Sequence, residues 1–117
     1  MRGDVYPFEN FDARGAEQAG PRYAVEVGSS SVSSAKRTIV CPTSSREPEL
    51  YLTDVHVRIK YTDDRTGARV TSYVLIEQVV AADNSKILGP RVGVVDEMDE
   101  IDTALRFVFD LEGDDDD

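Results

Sequence analysis

Arg22 stands five residues after Glu17 and four after Gln18 in the segment 15–27, G-A-E-Q-A-G-P-R-Y-A-V-E-V. Gly15, Gly20 and Pro21 are turn formers, whereas Tyr23, Val25 and Val27 alternate as in a half-buried strand. The arginine therefore lies where a loop meets a rigid footing. Its planar fork matches phosphate oxygens, and a carboxylate and an amide stand close by in sequence. A surface turn with an ordinary cation has the same spacing. Hydroxyls come from a second segment, Thr43, Ser44 and Ser45, after the apolar run 38–42. The chain has one histidine, His56, one cysteine, Cys41, and no close carboxylate–histidine spacing, so neither a metal-ligand set nor a cofactor is expected. There is no G-x-S-x-G elbow and no glycine-rich phosphate loop. What remains is an arginine with hydroxyls and carboxylates on separate loops. Such a set suits cleavage of RNA by its own 2′-hydroxyl, in which the substrate supplies the nucleophile and the protein orients the strand and stabilises the phosphorane.

The elements that must hold these groups read mainly as strands. Val5, Tyr6 and Phe8 suggest a first strand, with Pro7 near an edge or a bend. A loop from 9 to 21 leads to the second strand, and 28–34 is a serine-rich connection, either a mobile loop or one helical turn. Residues 38–41 form a third strand ended by Pro42, with a polar turn over 43–48. In 50–61 the alternation is cleanest: Val55, Val57, Ile59 and Tyr61 point one way, and His56, Arg58 and Lys60 the other. The T-D-D-R-T-G turn at 62–67 implies a hairpin into a long central strand over 70–80, on which Glu77 is out of place unless it points into a polar site. A short last strand spans 91–95. Asp96 reads as the N-cap of a helix whose packed stripe is Met98, Ile101, Leu105, Val108 and Phe109, with Phe107 off the stripe, exposed or at a subunit contact. Six strands and a terminal helix imply an open or nearly closed antiparallel barrel.

With 117 residues, 40% of them apolar, the chain is one domain, 1–111, followed by an acidic tail, 112–117, expected to be disordered. No run approaches the roughly 18 apolar residues of a membrane span, and no apolar signal segment opens the chain, so a cytoplasmic protein without a membrane partner is expected. Cys41 reads as a buried small hydrophobe. The net charge of −10 argues against a nucleic-acid partner until it is resolved by segment. Residues 1–95 hold twelve Lys/Arg and twelve Asp/Glu, whereas 96–117 hold eleven acids and only Arg106. A neutral or basic groove away from the last helix therefore remains available.

Six pieces occur in an order that carries further information: R-G-D-V-Y at 2–6, the loop with Glu17 and Arg22, I-V-C-P-T-S-S-R at 39–46, V-H-V-R-I at 55–59, S-Y-V-L-I-E-Q-V at 72–79 and D-E-M-D-E-I-D-T-A-L at 96–105. Together they resemble the MazF/PemK family of toxin endoribonucleases, up to about Leu111. The resemblance implies an SH3-like antiparallel β-barrel with a C-terminal α-helix, a fold shared with gyrase-poisoning toxins and normally paired as a homodimer. It also implies metal-independent cutting of single-stranded RNA at short motifs, leaving a 2′,3′-cyclic phosphate and a 5′-hydroxyl, and silencing by a small MazE-like antitoxin.

Residue by residue, the resemblance makes Arg22 the catalytic arginine and puts Ser44 in the slot of the family's catalytic threonine, with Thr43 one place earlier. Adjacent strand residues face opposite ways, so only one of the two hydroxyls can serve, and Ser44 is expected. Glu17 or His56 is available to take the 2′-proton, and the sequence does not choose between them. Gln18, Tyr23, Ser45, His56, Glu77 and Gln78 are the expected RNA contacts; Tyr23 either stacks on a base or packs. Three departures stand out: Tyr23 where the family usually has proline, Glu26 in an apolar strand, and Val80–Ala81 where many relatives have arginine and threonine. The alternatives are a toxin of this fold that poisons gyrase and a catalytically dead binding module. The absence of tryptophan and the D-D-D-D end count against the former.

Overall fold

A computed structural model of the chain describes residues 1–9, 22–33 and 36–111. Among them are seven strands, β1 (Asp4–Phe8), β2 (Arg22–Glu26), β3 (Arg37–Ser44), β4 (His56–Thr62), β5 (Arg69–Leu75), β6 (Val80–Asp83) and β7 (Gly93–Val94), and one helix, α1 (Asp99–Val108). The sheet runs β4-β5-β3-β2-β1-β7, every pairing antiparallel, with β6 also on β3. Its two ends nearly meet. The Asp64 amide donates to the Val92 carbonyl at 2.7 Å and the Asp96 amide to that of Lys60 at 3.1 Å, tying β4 to the segments flanking β7. The result is a nearly closed antiparallel barrel with a C-terminal helix, as the resemblance implied.

The period-two pattern decides what fills it. Val57, Ile59 and Tyr61 of β4 are buried while Arg58 and Lys60 are exposed, as the alternation predicts. Val5, Val25, Cys41 and Val74 meet them inside, and Ile101 and Ala104 of α1 cover the same core. Gly93 is required where the barrel closes, because a Cβ there would lie 2.5 Å from the Tyr61 ring and 2.8 Å from the Thr62 carbonyl oxygen. On the other face of the sheet Phe8, Ala24, Val40 and Ala82 form a small second cluster. Among the described residues, no helix is long and apolar enough to cross a membrane.

Several expectations need correction. The strand over 70–80 is two strands, interrupted by a 3₁₀ turn at Ile76–Gln78. The cause lies in the pairing: Thr43 faces Val74 and Val40 faces Val80, so five residues of the partner stand opposite Cys41 and Pro42, and the surplus coils. β3 does not stop at Pro42 but continues to Ser44, which puts Thr43 and Ser44 on a strand rather than in a turn. The last strand shrinks to Gly93–Val94. Asp96 does not cap α1; it pairs with Arg69, and Met98 precedes the helix without a side-chain cap. Phe109 leaves the packed stripe and is 55% exposed, and Phe107 is 60% exposed. Glu26 is buried and accepts hydrogen bonds from the Met1 ammonium at 2.6 Å and the Ser33 hydroxyl at 2.8 Å, which accounts for a carboxylate among apolar neighbours. The serine-rich connection makes a turn, with the Val32 and Ser33 amides donating to the Ser29 carbonyl at 3.0 and 3.1 Å. The acidic tail at 112–117 lies outside the described residues.

Candidate active site

Register brings the candidates together. β1 sets Phe8 opposite Arg22, and β2 sets Ala24 opposite Pro42. That ladder ends at Ala24–Pro42; two residues beyond it on each strand stand Arg22 and Ser44, in phase with that pair. Residues directly opposite in an antiparallel pair share a face. Ser44 in turn faces Tyr73 on β5, and Tyr73 faces Arg58 on β4. Ser44, Tyr73 and Arg58 thus form a paired row across three strands, and Arg22 shares their face, opposite the main core.

The two neighbouring hydroxyls differ in what they do. Thr43 is buried and donates to the Tyr23 carbonyl at 3.1 Å, so its hydroxyl helps hold β2 to β3. Ser44 is half-buried, and its oxygen accepts from the Arg46 amide at 3.1 Å. A hydroxyl that accepts in this way keeps its own proton to donate. The Ser72 hydroxyl bonds the Ser44 carbonyl at 3.0 Å and fixes the strand end. Arg22, Tyr23, Thr43, Ser44 and Ser45 line one cavity of about 180 Å³, with Tyr61, Val70, Thr71 and Ser72 completing its walls. The Nε of Arg22 is buried there.

A family model described as PemK-like, MazF-like toxin of type II toxin-antitoxin system matches residues 1–109. This chain belongs to that family. Among solved structures, an endoribonuclease in complex with its cognate antitoxin, from a mycobacterial species, is similar with a TM-score of 0.70 and 18% identity, covering 96% of each chain; that likeness establishes the fold. No curated protein matches the sequence.

The remaining candidates of this PemK-like chain are distributed elsewhere. Glu17 and Gln18 lie outside the described residues. His56 Nε2 and Glu77 Oε2 are 2.9 Å apart, a pair made possible because the 3₁₀ turn swings Glu77 toward the start of β4. His56 lines a groove of about 670 Å³ between β4 and α1, with Arg58, Tyr73 and Phe107. It shares a face with Arg22 but stands three strands away, about 14 Å across the strands and about 7 Å along them at normal spacing. Gln78 lines a third cavity of about 420 Å³ with Phe8, Pro42, Val80 and Lys86. Phe8 and Pro42 connect that cavity to β2, where they pair with Arg22 and Ala24.

Burial pushes the Cys41 thiol up to about 12, reinforced by the charge of Glu77, so it stays a thiol at neutral pH. Among the described residues, no three His, Cys, Asp or Glu side chains gather where they could hold a metal ion. Sequence reasoning missed Tyr73 and Arg65. Tyr73 stands in an apolar run with no local mark of a site. Arg65 reaches Tyr23 across 42 residues of sequence, and only the Asp63-x-Arg65 spacing of the turn hints that it is held.

Proposed function

We propose that this protein is a toxin endoribonuclease that cuts single-stranded RNA by attack of the substrate's own 2′-oxygen. The 2′-oxygen bonds to phosphorus and releases its proton, the bond from phosphorus to the 5′-oxygen breaks, and that oxygen takes up a proton. The products are a 2′,3′-cyclic phosphate and a 5′-hydroxyl. Arg22 stabilises the charge on the phosphorane and hydrogen-bonds the departing oxygen; a guanidinium stays protonated at any working pH and cannot act as the base. Ser44 donates to a non-bridging oxygen. Tyr73 offers a ring for an unpaired base and Arg58 a cation for a phosphate farther along the strand.

The observation that carries this reading is the shared face and shared cavity of Arg22 and Ser44, in a chain of the PemK-like toxin family. The exposed Phe107, Phe109 and Leu111 at the end of α1 support a homodimer paired through helix and sheet. A cognate antitoxin is the natural silencing partner. The test is incubation of the purified protein with a long single-stranded RNA in EDTA. Discrete fragments whose 5′ ends accept phosphate from a kinase without prior phosphatase treatment are expected. Intact RNA would favour a binding module, and inhibited supercoiling a gyrase poison.

A further inference from the structure

The tip of the β4–β5 hairpin is built around one carboxylate. Asp63 receives the Arg65 amide at 2.8 Å, while its carbonyl accepts the Gly67 amide at 2.7 Å and that of Thr66 at 3.3 Å. Gly67 has φ +76, which a residue without a Cβ adopts at no steric cost. The same carboxylate takes Arg65 Nε at 3.1 Å and Nη2 at 2.8 Å, one oxygen each. The guanidinium is thereby fixed in a plane. From there Nη2 also donates to the Tyr23 hydroxyl at 3.1 Å, and the guanidinium carbon lies 5.7 Å from the centre of the Tyr23 ring. That distance is within cation–π range.

Tyr23 follows Arg22 at the start of β2, and strand ends are where backbone pairing opens most readily. The 22–24 stretch pairs with β1 along one side, Phe8 with Arg22 and Pro7 with Tyr23, and two further contacts hold it. Thr43 grips the Tyr23 carbonyl from β3, and Arg65 grips the Tyr23 ring from the hairpin tip. We propose that Arg65 is a positioning residue for the RNA-cleaving reaction: clamped by Asp63, it pins Tyr23 and so fixes the strand end from which Arg22 enters the cavity. The inference rests on the endoribonuclease reading for its catalytic consequence. A direct phosphate contact is the competing role for an arginine that is 53% exposed. The ion pair opposes it: Nε and Nη2 are committed to Asp63 and Tyr23, and the Asp63 carboxylate cancels the charge a phosphate would need.

The experiment compares wild type with Arg65→Ala, Arg65→Lys and Tyr23→Phe in steady-state cleavage of a single-stranded RNA at several salt concentrations, alongside amide exchange at residues 22–24. Arg65→Ala is expected to lower kcat about tenfold with KM within twofold, and to leave the dependence of log KM on log salt unchanged. Arg65→Lys keeps the charge but lacks the fork, and is expected to recover little of the loss; Tyr23→Phe keeps the stack and is expected to lose less. The amides of 22–24 are expected to exchange at least tenfold faster in Arg65→Ala. An unchanged kcat, full recovery by lysine, or a salt slope shallower by about 0.7, the value of one phosphate contact to a single strand, overturns the proposal. Unchanged exchange at 22–24 also overturns it. If the wild type cuts no RNA, the endoribonuclease reading fails, while the exchange measurement still decides whether the clamp exists.

Discussion

Two regions of the same sheet handle their polar residues in opposite ways. Where β2 meets β3, Arg22 and Ser44 line one small cavity with Thr43, whose hydroxyl bonds the Tyr23 carbonyl, and Ser72, whose hydroxyl bonds the Ser44 carbonyl. Where β4 meets α1, His56 and Glu77 are joined to each other across a 3₁₀ turn and border a groove several times larger. The first arrangement concentrates donors on one point, which a transition state needs; the second spreads a groove over a length, which a strand of nucleic acid or a partner needs. On the proposed reading, the His56–Glu77 pair belongs to this groove rather than to the reaction centre.

Substitutions on the two sides should break along that line. Arg22→Ala is expected to lower single-turnover cleavage by a factor of about 10³ or more, near the upper end for loss of one charge-stabilising group, with unfolding temperature little changed. Ser44→Ala is expected to cost about ten- to a hundredfold in the same assay. Thr43→Ala should cost less than threefold in rate but about 1 kcal/mol in stability by denaturant unfolding, since its buried bond to the Tyr23 carbonyl is lost. His56→Ala should alter the single-turnover rate less than threefold and act chiefly on KM. A rate loss at His56 equal to that at Ser44 would erase the distinction between the two regions.

The smallest effect is one of pH. Two bonds from the Arg65 side chain and one from its amide hold the Asp63 carboxyl at about 2, below its ordinary 3.8. A depressed carboxylate stabilises the fold fully above its unfolded value and loses that contribution as pH falls through its folded one. Thermal unfolding of wild type and Asp63→Asn should therefore differ by a constant amount above about pH 4 and converge toward pH 2. Curves that stay parallel down to pH 2 would show that Asp63 does not carry the clamp.

The legibility of these features follows their range in sequence. The β4 alternation could be read because one face is buried and the other wet, and a one-residue slip would invert both. The family motifs pointed to Arg22 and Ser44 as candidates, and the period of two restricted the choice to one of Thr43 and Ser44. Their register across β2 and β3 is a property of two strands together, so neither segment alone displays it. The turn at Ile76–Gln78 was hidden because Ile76 goes to the core and Val80 begins another strand, giving an apolar run indistinguishable from a continuous one. Asp96 carried the composition of a helix cap, yet a partner 27 residues away, Arg69, claims it. Arg65 escaped for the same reason: its partner Tyr23 is near in space and remote in sequence.

A double-mutant cycle on Arg22 and Ser44, read as single-turnover cleavage of one single-stranded RNA in EDTA, tests the shared site most directly. If both groups act on one phosphorus, Arg22→Ala with Ser44→Ala should be scarcely slower than Arg22→Ala alone, because the second donor has little left to assist. Losses that multiply, as for two sites that never meet, would contradict the account.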